Sequence, residues 1–256
     1  MVGRCLTPDR RSAQRYTSGM DVNPPARALP LDYDHDPDRF RTGRDTALRY
    51  GVSADVHAPI AARLIAEGLR PVLDVGCGDG ALGRPLLRAG VSWVGADLSA
   101  TLLRDAPRPV ICADAIRLPF PDGTFGAVAM LYMLYHLADP GQAIAEAHRV
   151  LRPGGLLVTV APSRFDSPEL AHLMPPEPPS TFDAELAPEL LGRHFATVEV
   201  NAWDGPYITL PDAEALRRYL IGKGVPRDLA AERAPTMTSF PLPITKRGAI
   251  IYGRKE

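Results

Sequence analysis

Short apolar segments alternate with helical segments over residues 71–162, and this alternation constrains the fold more than any other feature. The apolar segments are PVLDV (71–75), VSWVGAD (91–97), RPVICAD (108–114), TFGAVAMLY (124–132) and LLVTVAP (156–162). Segments with helical spacing include ALGRPLLRAG, SATLLRDA (with Ser99 as N-cap) and GQAIAEAHRVLRPGG. Buried strands joined by helices form a parallel sheet covered on both faces. The sequence therefore predicts a doubly wound α/β fold.

The regions on either side of this core differ from it in composition. Residues 1–30 combine early arginines with turn formers and show no apolar period, so we predict a disordered arm. Residues 31–256 are predicted to form one domain, with an N-terminal helical cap (31–69), a core (70–162) and two substrate-lid segments (163–182 and 205–240). Further elements are predicted at DAELAPELLGRHF (helix), ATVEVNAW (strand), DAEALRRYLIGKG (helix) and TKRGAIIYGRK (strand).

Charge and cysteine content argue against several classes of function. The formal net charge is −1, so no whole-molecule field attracts nucleic acid or anionic lipid. The three cysteines are far apart and form no C-x-x-C pair, so we predict no metal site and a cytoplasmic location. No apolar run approaches the ~20 residues that span a bilayer. We predict neither a nucleic-acid nor a membrane partner, and the oligomeric state stays open.

The stretch VLDVGCGDGALG (72–83) permits two interpretations. From Gly78 it contains G-x-G-x-x-G, the spacing of a nicotinamide dinucleotide fingerprint. From Asp74 it contains D-x-G-x-G-x-G, which indicates a different nucleotide-like cofactor. In both cases the loop follows a strand, where doubly wound sheets bind ligands, and Asp97 at the next strand end can accept both ribose hydroxyls.

Three features of the sequence favour the second interpretation. A pattern that begins at Gly78 leaves Asp74 and Gly76 unexplained. A carboxylate at Asp74 would repel a pyrophosphate but suits an ammonium group. Asp114 closes the third strand, where it can accept a hydrogen bond from an exocyclic amine. An adenosine with a zwitterionic amino-acid arm fits all three, and Gly83 is then a close-packing position. An NAD(P)-dependent oxidoreductase and a non-catalytic cofactor-binding protein remain as alternatives.

Five stretches in register resemble the class I S-adenosylmethionine-dependent methyltransferases, in the group that acts on small molecules. They are VLDVGCGDG, VGADLS, ADAIRLPF, FGAVAMLYMLYHL and HRVLRPGGLLV. The resemblance implies a Rossmann-like seven-stranded sheet in the order 3-2-1-4-5-7-6, with the last strand antiparallel. It also implies S-adenosyl-L-methionine as cofactor, S-adenosyl-L-homocysteine as product and a small-molecule acceptor, reached through O, N or C.

The resemblance also implies which residues meet the cofactor. DYDHDPDRFRTGR resembles the segment that closes over the cofactor in this group, so Tyr33 and Arg44 are candidates; Arg44 would pair with the methionine carboxylate or else be a solvated helix-start residue. The other predicted contacts are Asp74, Gly76, Gly78 and Gly80 around the methionine arm, Asp97 at the ribose, Asp114 and Ala115 at the adenine, Met130 and Leu131 on the sulfonium side, and Cys77 and Leu98 within the same loops.

Residues after the fourth strand are candidates for catalysis. A general base assists where the acceptor is a hydroxyl or an acidic carbon, and His136 in LYMLYHL is placed to act as one. Tyr132 is a second candidate, and both residues have packing as the alternative role. The [DN]-P-P-[YFW] motif of DNA amino-methyltransferases is missing at this position, where the sequence reads MLYM.

Overall fold

The computed structural model describes residues 36–51, 55–176 and 178–256, so the predicted arm (1–30) lies outside the described residues. None of the helices in these ranges is long and apolar enough to cross a membrane. The helices are α1 (Pro37–Tyr50), α2 (His57–Ala66), α3 (Gly83–Arg88), α4 (Pro140–Val150), α5 (Ala187–Gly192), α6 (Ala213–Gly222) and α7 (Arg227–Arg233). The strands are β1 (Val72–Val75), β2 (Trp93–Asp97), β3 (Val110–Cys112), β4 (Phe125–Leu131), β5 (Leu151–Pro162), β6 (Thr197–Leu210) and β7 (Leu242–Arg254).

The strands form one seven-stranded sheet in the order β3-β2-β1-β4-β5-β7-β6, which confirms the predicted fold class. The pairs β1–β2, β1–β4, β2–β3 and β4–β5 are parallel. β7 is antiparallel to both of its neighbours. The order reverses between β1 and β4, and the carboxyl ends of the first five strands share one edge of the sheet. Ligands of open α/β sheets bind at such an edge.

Side-chain caps set the start of two helices. The Asp139 carboxylate accepts the N–H of Gly141 at 3.0 Å, and Pro140 occupies the first turn of α4. The Asp212 carboxylate accepts the N–H of Ala215 at 2.8 Å, where α6 begins. β5 starts directly after α4, earlier than the predicted 156, because Leu151 is already extended (φ −71°, ψ 136°).

The predicted helix SATLLRDA is wrong in extent. The Ser99 hydroxyl does accept the N–H of Leu102 at 3.2 Å, as expected for a capping residue. Only a 3-10 turn, Leu102–Arg104, follows it. Pro107 and Pro109 come soon after, and a proline disfavours helical backbone in the residue before it.

Apolar side chains cover both faces of the sheet. Val72 belongs to one cluster and Leu73 to the other, as expected when neighbouring residues of a strand point to opposite faces. On the α3 side, a Cβ at Gly83 would lie 2.6 Å from the Trp93 ring. The prediction that Gly83 is a close-packing position is therefore confirmed.

A third apolar cluster lies among α1, α6, α7 and the Pro168–Leu173 turn. Its buried members include Leu170, Ile208, Leu216 and Ile244. The predicted cap and lid segments thus share one cluster. The lid boundary at 205 stays a prediction; in the structure β6 continues to Leu210 and pairs with β7 beyond an irregularity between Gly205 and Ile208.

We expect Gly222→Ala to destabilise the fold, because α1 and α6 touch through backbone at this point. A Cβ on Gly222 would lie 2.4 Å from the Cα of Gly43, which no side-chain rotation relieves. The expected loss is about 1–3 kcal/mol in the free energy of unfolding, measured in urea. Gly192→Ala is the control, since nothing lies within 4 Å of a Cβ there. Equal stability of the two variants would contradict the close helix contact.

Candidate cofactor site

The glycine loop after β1 has a backbone that requires glycine. Gly76, Gly78 and Gly80 have φ values of +69°, +53° and +76°, in the left-handed region that side chains disfavour. The carbonyl oxygen of Ala96 accepts the N–H groups of Gly76 (2.8 Å) and Cys77 (3.1 Å). The loop is therefore bonded to the end of β2 and turns sharply over the carboxyl edge.

Two of these glycines also permit close packing within the protein. A Cβ on Gly76 would lie 2.8 Å from the Cβ of Met133, and one on Gly80 would lie 2.4 Å from the Cδ of Pro107. Sequence reasoning assigned such closeness to a ligand. In the structure, Met133 after β4 and Pro107 before β3 pack closely against these glycines. A ligand can therefore contact only the remaining surface of the loop.

Asp97 organises the loop through both of its carboxylate oxygens. Oδ2 accepts the N–H of Gly78 and Oδ1 accepts the N–H of Ser99, each at 2.8 Å. An ionised carboxylate has about four acceptor positions. Asp97 can therefore support the loop and still accept hydrogen bonds from hydroxyl groups.

Asp74 is a buried carboxyl, 3% exposed, in the middle of the sheet. The indole N–H of Trp93 donates to its Oδ2 at 3.3 Å. Burial raises the pKa of Asp74 to about 7, and the nearby Asp97 and Asp79 add to the rise against the Trp93 hydrogen bond. No Lys, Arg or His of the described ranges lies within ion-pair distance of Asp74. The group is thus a buried acid without a cationic partner there.

Cys77, also in the predicted cofactor set, is a free and buried thiol. Burial, with Asp74 and Asp97, raises the pKa of this thiol far above its usual value, so it stays protonated. Its sulfur would lie 2.8 Å from a Cβ on Gly95. Cys77 therefore contributes packing to the loop and is not a nucleophile.

Helix α1 reaches the glycine loop through arginines. The Arg44 guanidinium is bonded to Asp79, a loop residue that sequence reasoning did not select. Arg84 also approaches Asp79, at 3.6 Å, and Arg41 pairs with Asp105 at 3.1 Å. The prediction that Arg44 meets the methionine carboxylate stays a prediction. Tyr33 lies outside the described residues.

The next two predicted positions follow β2 and β3. Leu98 is half-buried, and so is Asp114, whose Oδ1 accepts the N–H of Ile116 at 3.1 Å. Ala115 is buried in the apolar cluster on the α4 side. These residues lie just beyond strand ends at the edge that carries the glycine loop, so the structure brings them to the expected side of the sheet.

The end of β4 carries the remaining candidates. Met130 and Leu131 are buried in the clusters on opposite faces of the sheet, and Met130 has no exposed surface. Tyr132, directly after the strand, is 36% exposed and has a φ of +55°. The His136 ring lies 4.6 Å from that of Tyr135 in a tilted arrangement. Tyr132 therefore presents more surface to a ligand than the predicted sulfonium-side residues do.

Two cavities lie elsewhere on the molecule. One of about 120 Å³ is lined by Gly68 and Gly90 at the opposite edge of the sheet. Another of about 400 Å³ is an open groove beside β6 and β7, lined by Phe165, Trp203 and Arg247 among others. Neither touches the glycine loop. We locate the cofactor site by its chemistry, because Asp74 and Asp97 lie beside the glycine loop there.

Comparison with known proteins identifies the family. Residues 73–159 match a model described as a methyltransferase domain. The demethylmenaquinone methyltransferase of Corynebacterium urealyticum is 40% identical over 164 residues, which is 60% of this chain and 66% of that protein, just under two thirds. The malonyl-[acyl-carrier protein] O-methyltransferase of Pseudescherichia vulneris is 31% identical over 204 residues, 71% of this chain and 79% of that protein. The chain belongs to the class I S-adenosylmethionine-dependent methyltransferases.

Solved structures agree with this fold. The YcgJ protein of Bacillus subtilis superimposes with a TM-score of 0.57 at 18% identity, covering 77% of the methyltransferase and 99% of that chain. At this identity the similarity shows the fold alone. The oxidoreductase alternative is wrong, because the matching family model and the sequence relatives named above are those of methyltransferases.

Two residues at the methyltransferase's glycine loop escaped sequence reasoning. Asp79 lies inside the glycine motif itself. An acid in this loop and an arginine, Arg44, in the segment predicted to close over it could have indicated their ion pair. Met133 directly follows the candidate Tyr132, yet nothing in the sequence indicates its contact with Gly76. In the described ranges no three His, Cys, Asp or Glu side chains are grouped so as to hold a metal ion.

We expect Asp74→Asn to stabilise the ligand-free methyltransferase at pH 8 but not at pH 4. Because the folded-state pKa is raised from 3.8 to about 7, the group binds its proton more tightly when folded. The Asp74 carboxyl therefore destabilises the folded state increasingly as the pH rises from about 4 to about 7, and the full loss of stability applies above pH 7. The gain at pH 8 should be about 2–4 kcal/mol in the free energy of unfolding.

The matched control for this measurement is Asp228→Asn, which removes an exposed carboxylate on α7. Its stability relative to the parent protein should change little between the two pH values. A pH-independent effect of Asp74→Asn would show that Asp74 is ionised and satisfied in the folded state.

Proposed function

We propose that this methyltransferase binds S-adenosyl-L-methionine against the glycine loop and transfers its methyl group to a small-molecule acceptor held beneath the lid. The observation that carries the proposal is the pair Asp74 and Asp97 beside the loop, of which Asp74 is buried without a cationic partner among the described residues. Two neighbouring acids form a negative site. Such a site favours a ligand that carries positive charge and repels a pyrophosphate.

Each acid has a distinct role in the proposal. Asp74 stabilises the ammonium group of the amino-acid arm, which supplies the positive charge that the buried carboxyl lacks. Asp97 accepts hydrogen bonds from the ribose hydroxyls in addition to those from the N–H groups of the protein. Asp114 accepts from the exocyclic amine of adenine, with Ala115 and Leu98 forming apolar walls. Arg44 is a candidate for the methionine carboxylate, in exchange with its ion pair to Asp79.

S-adenosyl-L-methionine supplies a methyl group that is already activated on its sulfonium, so the protein's main task is alignment of the acceptor. Tyr132 lies after β4, with a pKa raised by burial and then by Asp166, Tyr219 and Asp55. Its phenol therefore stays protonated at neutral pH and can donate a hydrogen bond that orients the acceptor. His136 is the proposed group for removing a proton from a hydroxyl or acidic carbon. In its alternative role the His136 ring only packs against that of Tyr135, and catalysis then depends on alignment of the acceptor.

The acceptor is proposed only as a class. The relatives named above are described as methyltransferases of demethylmenaquinone and of malonyl-[acyl-carrier protein], two unlike acceptors. Sequence similarity to them therefore does not select an acceptor for this chain. We propose a small organic molecule rather than nucleic acid, because net charge is near zero and the motif for flipped DNA bases is missing. A cytoplasmic location completes the proposal.

We expect Asp97→Ala to weaken binding of S-adenosyl-L-homocysteine by about 1.5–3 kcal/mol, since it removes charged hydrogen-bond acceptors. Calorimetric titration should show this loss as a roughly ten- to hundredfold rise in Kd. The control, Asp122→Ala, removes an exposed acid that pairs with Arg149 at the opposite end of β4. Tight binding of NAD together with no detectable binding of S-adenosyl-L-homocysteine would contradict the proposal.

Turnover is tested separately from binding. Incubation with S-adenosyl-L-methionine labelled in its methyl group and a small-molecule extract should move the label into a low-mass product. Binding without any labelled product over a broad acceptor panel would favour the non-catalytic alternative.

A further inference from the structure

A buried carboxylate beyond β5 holds two ammonium groups on one oxygen. Oδ2 of Asp166 accepts from the Nζ of Lys223 at 2.8 Å and from the Nζ of Lys246. Oδ1 is occupied by the N–H of Arg247 at 2.9 Å. The Asp166 side chain is 6% exposed, whereas those of the lysines are 25% and 22% exposed. The lysine side chains are therefore more accessible to a ligand than the carboxylate that they share.

The two lysines carry more charge than their direct partner neutralises. Within 4 Å, no second carboxylate of the described ranges pairs with either ammonium group. The other contact of each is the Ser167 hydroxyl, at 3.5 Å from Lys223 and 3.4 Å from Lys246. Glu169 is engaged instead by the N–H and hydroxyl of Thr245. Each ammonium has three donors, so donor capacity is left at the centre of this site.

Lys223 stays charged in spite of its surroundings. Burial lowers its pKa, but Tyr219 and Asp166 more than offset this effect, so the pKa is raised overall. The Nζ also lies 5.8 Å from the centroid of the Tyr219 ring. Lys223 therefore offers a permanent positive charge beside an aromatic surface.

Lysine itself is rare in this chain. Arginine fills 26 of the 29 basic positions, and Lys223, Lys246 and Lys255 are the three exceptions. Two of the three share the Asp166 oxygen. A compact ammonium that converges with a second one on a single atom fits this geometry, whereas two planar guanidinium groups would not. The two lysines are thus suited to this site, in a chain whose other basic residues, apart from Lys255, are arginines.

Backbone strain marks the same location. Tyr132 and Ser167, both at φ +55°, are the non-glycine residues with positive φ in the described ranges. Ser167 contacts Asp166 and both lysines. Tyr132 is under the electrostatic influence of Asp166 and Tyr219. Strain of this kind persists where surrounding structure enforces it, and it concentrates at ligand sites.

Tyr132 connects this cluster to the cofactor site. It immediately precedes Met133, which packs on Gly76 of the glycine loop. Tyr132 is more than a third exposed, yet burial by surrounding protein dominates its electrostatics. Tyr132 therefore lies between Met133 at the glycine loop and the charges of the Asp166 cluster.

We propose that Lys223 and Lys246 form the binding site for an anionic group of the methyl acceptor, a carboxylate or a phenolate, with Tyr132 on the side toward the cofactor. This inference rests on the proposed function, of which it specifies the acceptor class. Asp166 holds the two ammonium groups together, and the organic anion supplies the charge that Asp166 alone does not.

The test compares two probes of nearly equal shape, 2-naphthoate and its neutral amide, 2-naphthamide. Each is titrated calorimetrically into the full-length protein with and without saturating S-adenosyl-L-homocysteine. We expect the unmodified protein to bind 2-naphthoate at least tenfold more tightly than the amide. Lys223→Gln and Lys246→Gln should each reduce this preference at least fivefold. Arg218→Gln, which removes an exposed charge from the same helix, should leave it within twofold.

Asp166→Asn separates an anion site from a structural bridge. An anion site predicts a stronger preference for 2-naphthoate, because the variant leaves two ammonium groups without their carboxylate. If Asp166 only bridges the lysines to hold the lid in place, Asp166→Asn should instead reduce the preference for 2-naphthoate, as the lysine variants do. A cooperative unfolding transition in urea reports that each variant is folded; should Asp166→Asn fail this check, the two lysine variants decide alone.

The proposal is overturned by equal or undetectable binding of both probes, by a preference that survives both lysine variants, or by a loss of preference in Asp166→Asn. Failure of the proposed function has a different signature. In that case S-adenosyl-L-homocysteine does not bind, while the preference for 2-naphthoate is still seen in its absence.

Discussion

Parallel pairing of β1 with both β2 and β4 is the constraint on which the rest of the structure depends. Because the three strands run in one direction, their carboxyl ends meet at one edge. The chain leaves β1 toward one side of the sheet and β4 toward the other, so a gap opens above β1. The glycine loop, Asp97 and Tyr132 all lie at that edge. Without the reversal of strand order there, these residues would belong to separate surfaces.

At the cofactor edge of the sheet, the same carboxyl groups affect both the stability of the fold and the binding of a ligand. Asp97 accepts the N–H groups of Gly78 and Ser99, so hydrogen bonds within the protein shape the loop. Asp74 has the opposite character, since its burial raises its pKa to about 7 and costs stability when the group ionises. A cationic ligand group would offset that cost. The site is therefore preorganised by one acid and held in an unfavourable state by the other, which is how binding energy can be concentrated on a single arm of a ligand.

Sequence predicted the sheet well and its surroundings less well. The apolar runs of β1, β2, β3 and β5 end at glycine, aspartate or proline, so the ends of these strands can be recognised in the sequence. Weaker elements depend on neighbours. SATLLRDA has helical spacing but forms a single 3-10 turn before Pro107 and Pro109. β6 extends past its apolar pattern to Leu210 because β7 supplies hydrogen-bond partners there. No spacing within either segment encodes a partner that lies elsewhere in the chain.

The sequence by itself determined the alternation of strands and helices and the acids at the strand ends, because these features are local, and its resemblance to a methyltransferase family implied the strand order. Tertiary structure alone decided which distant side chains meet. Asp166, Lys223 and Lys246 lie in a loop, a helix end and a strand, 57 and 80 residues apart from the carboxylate, yet they share one oxygen atom. Arg44 meets Asp79 in the same way across 35 residues. Electrostatic energy depends on distance in space, and the chain sets that distance only after its apolar faces have packed.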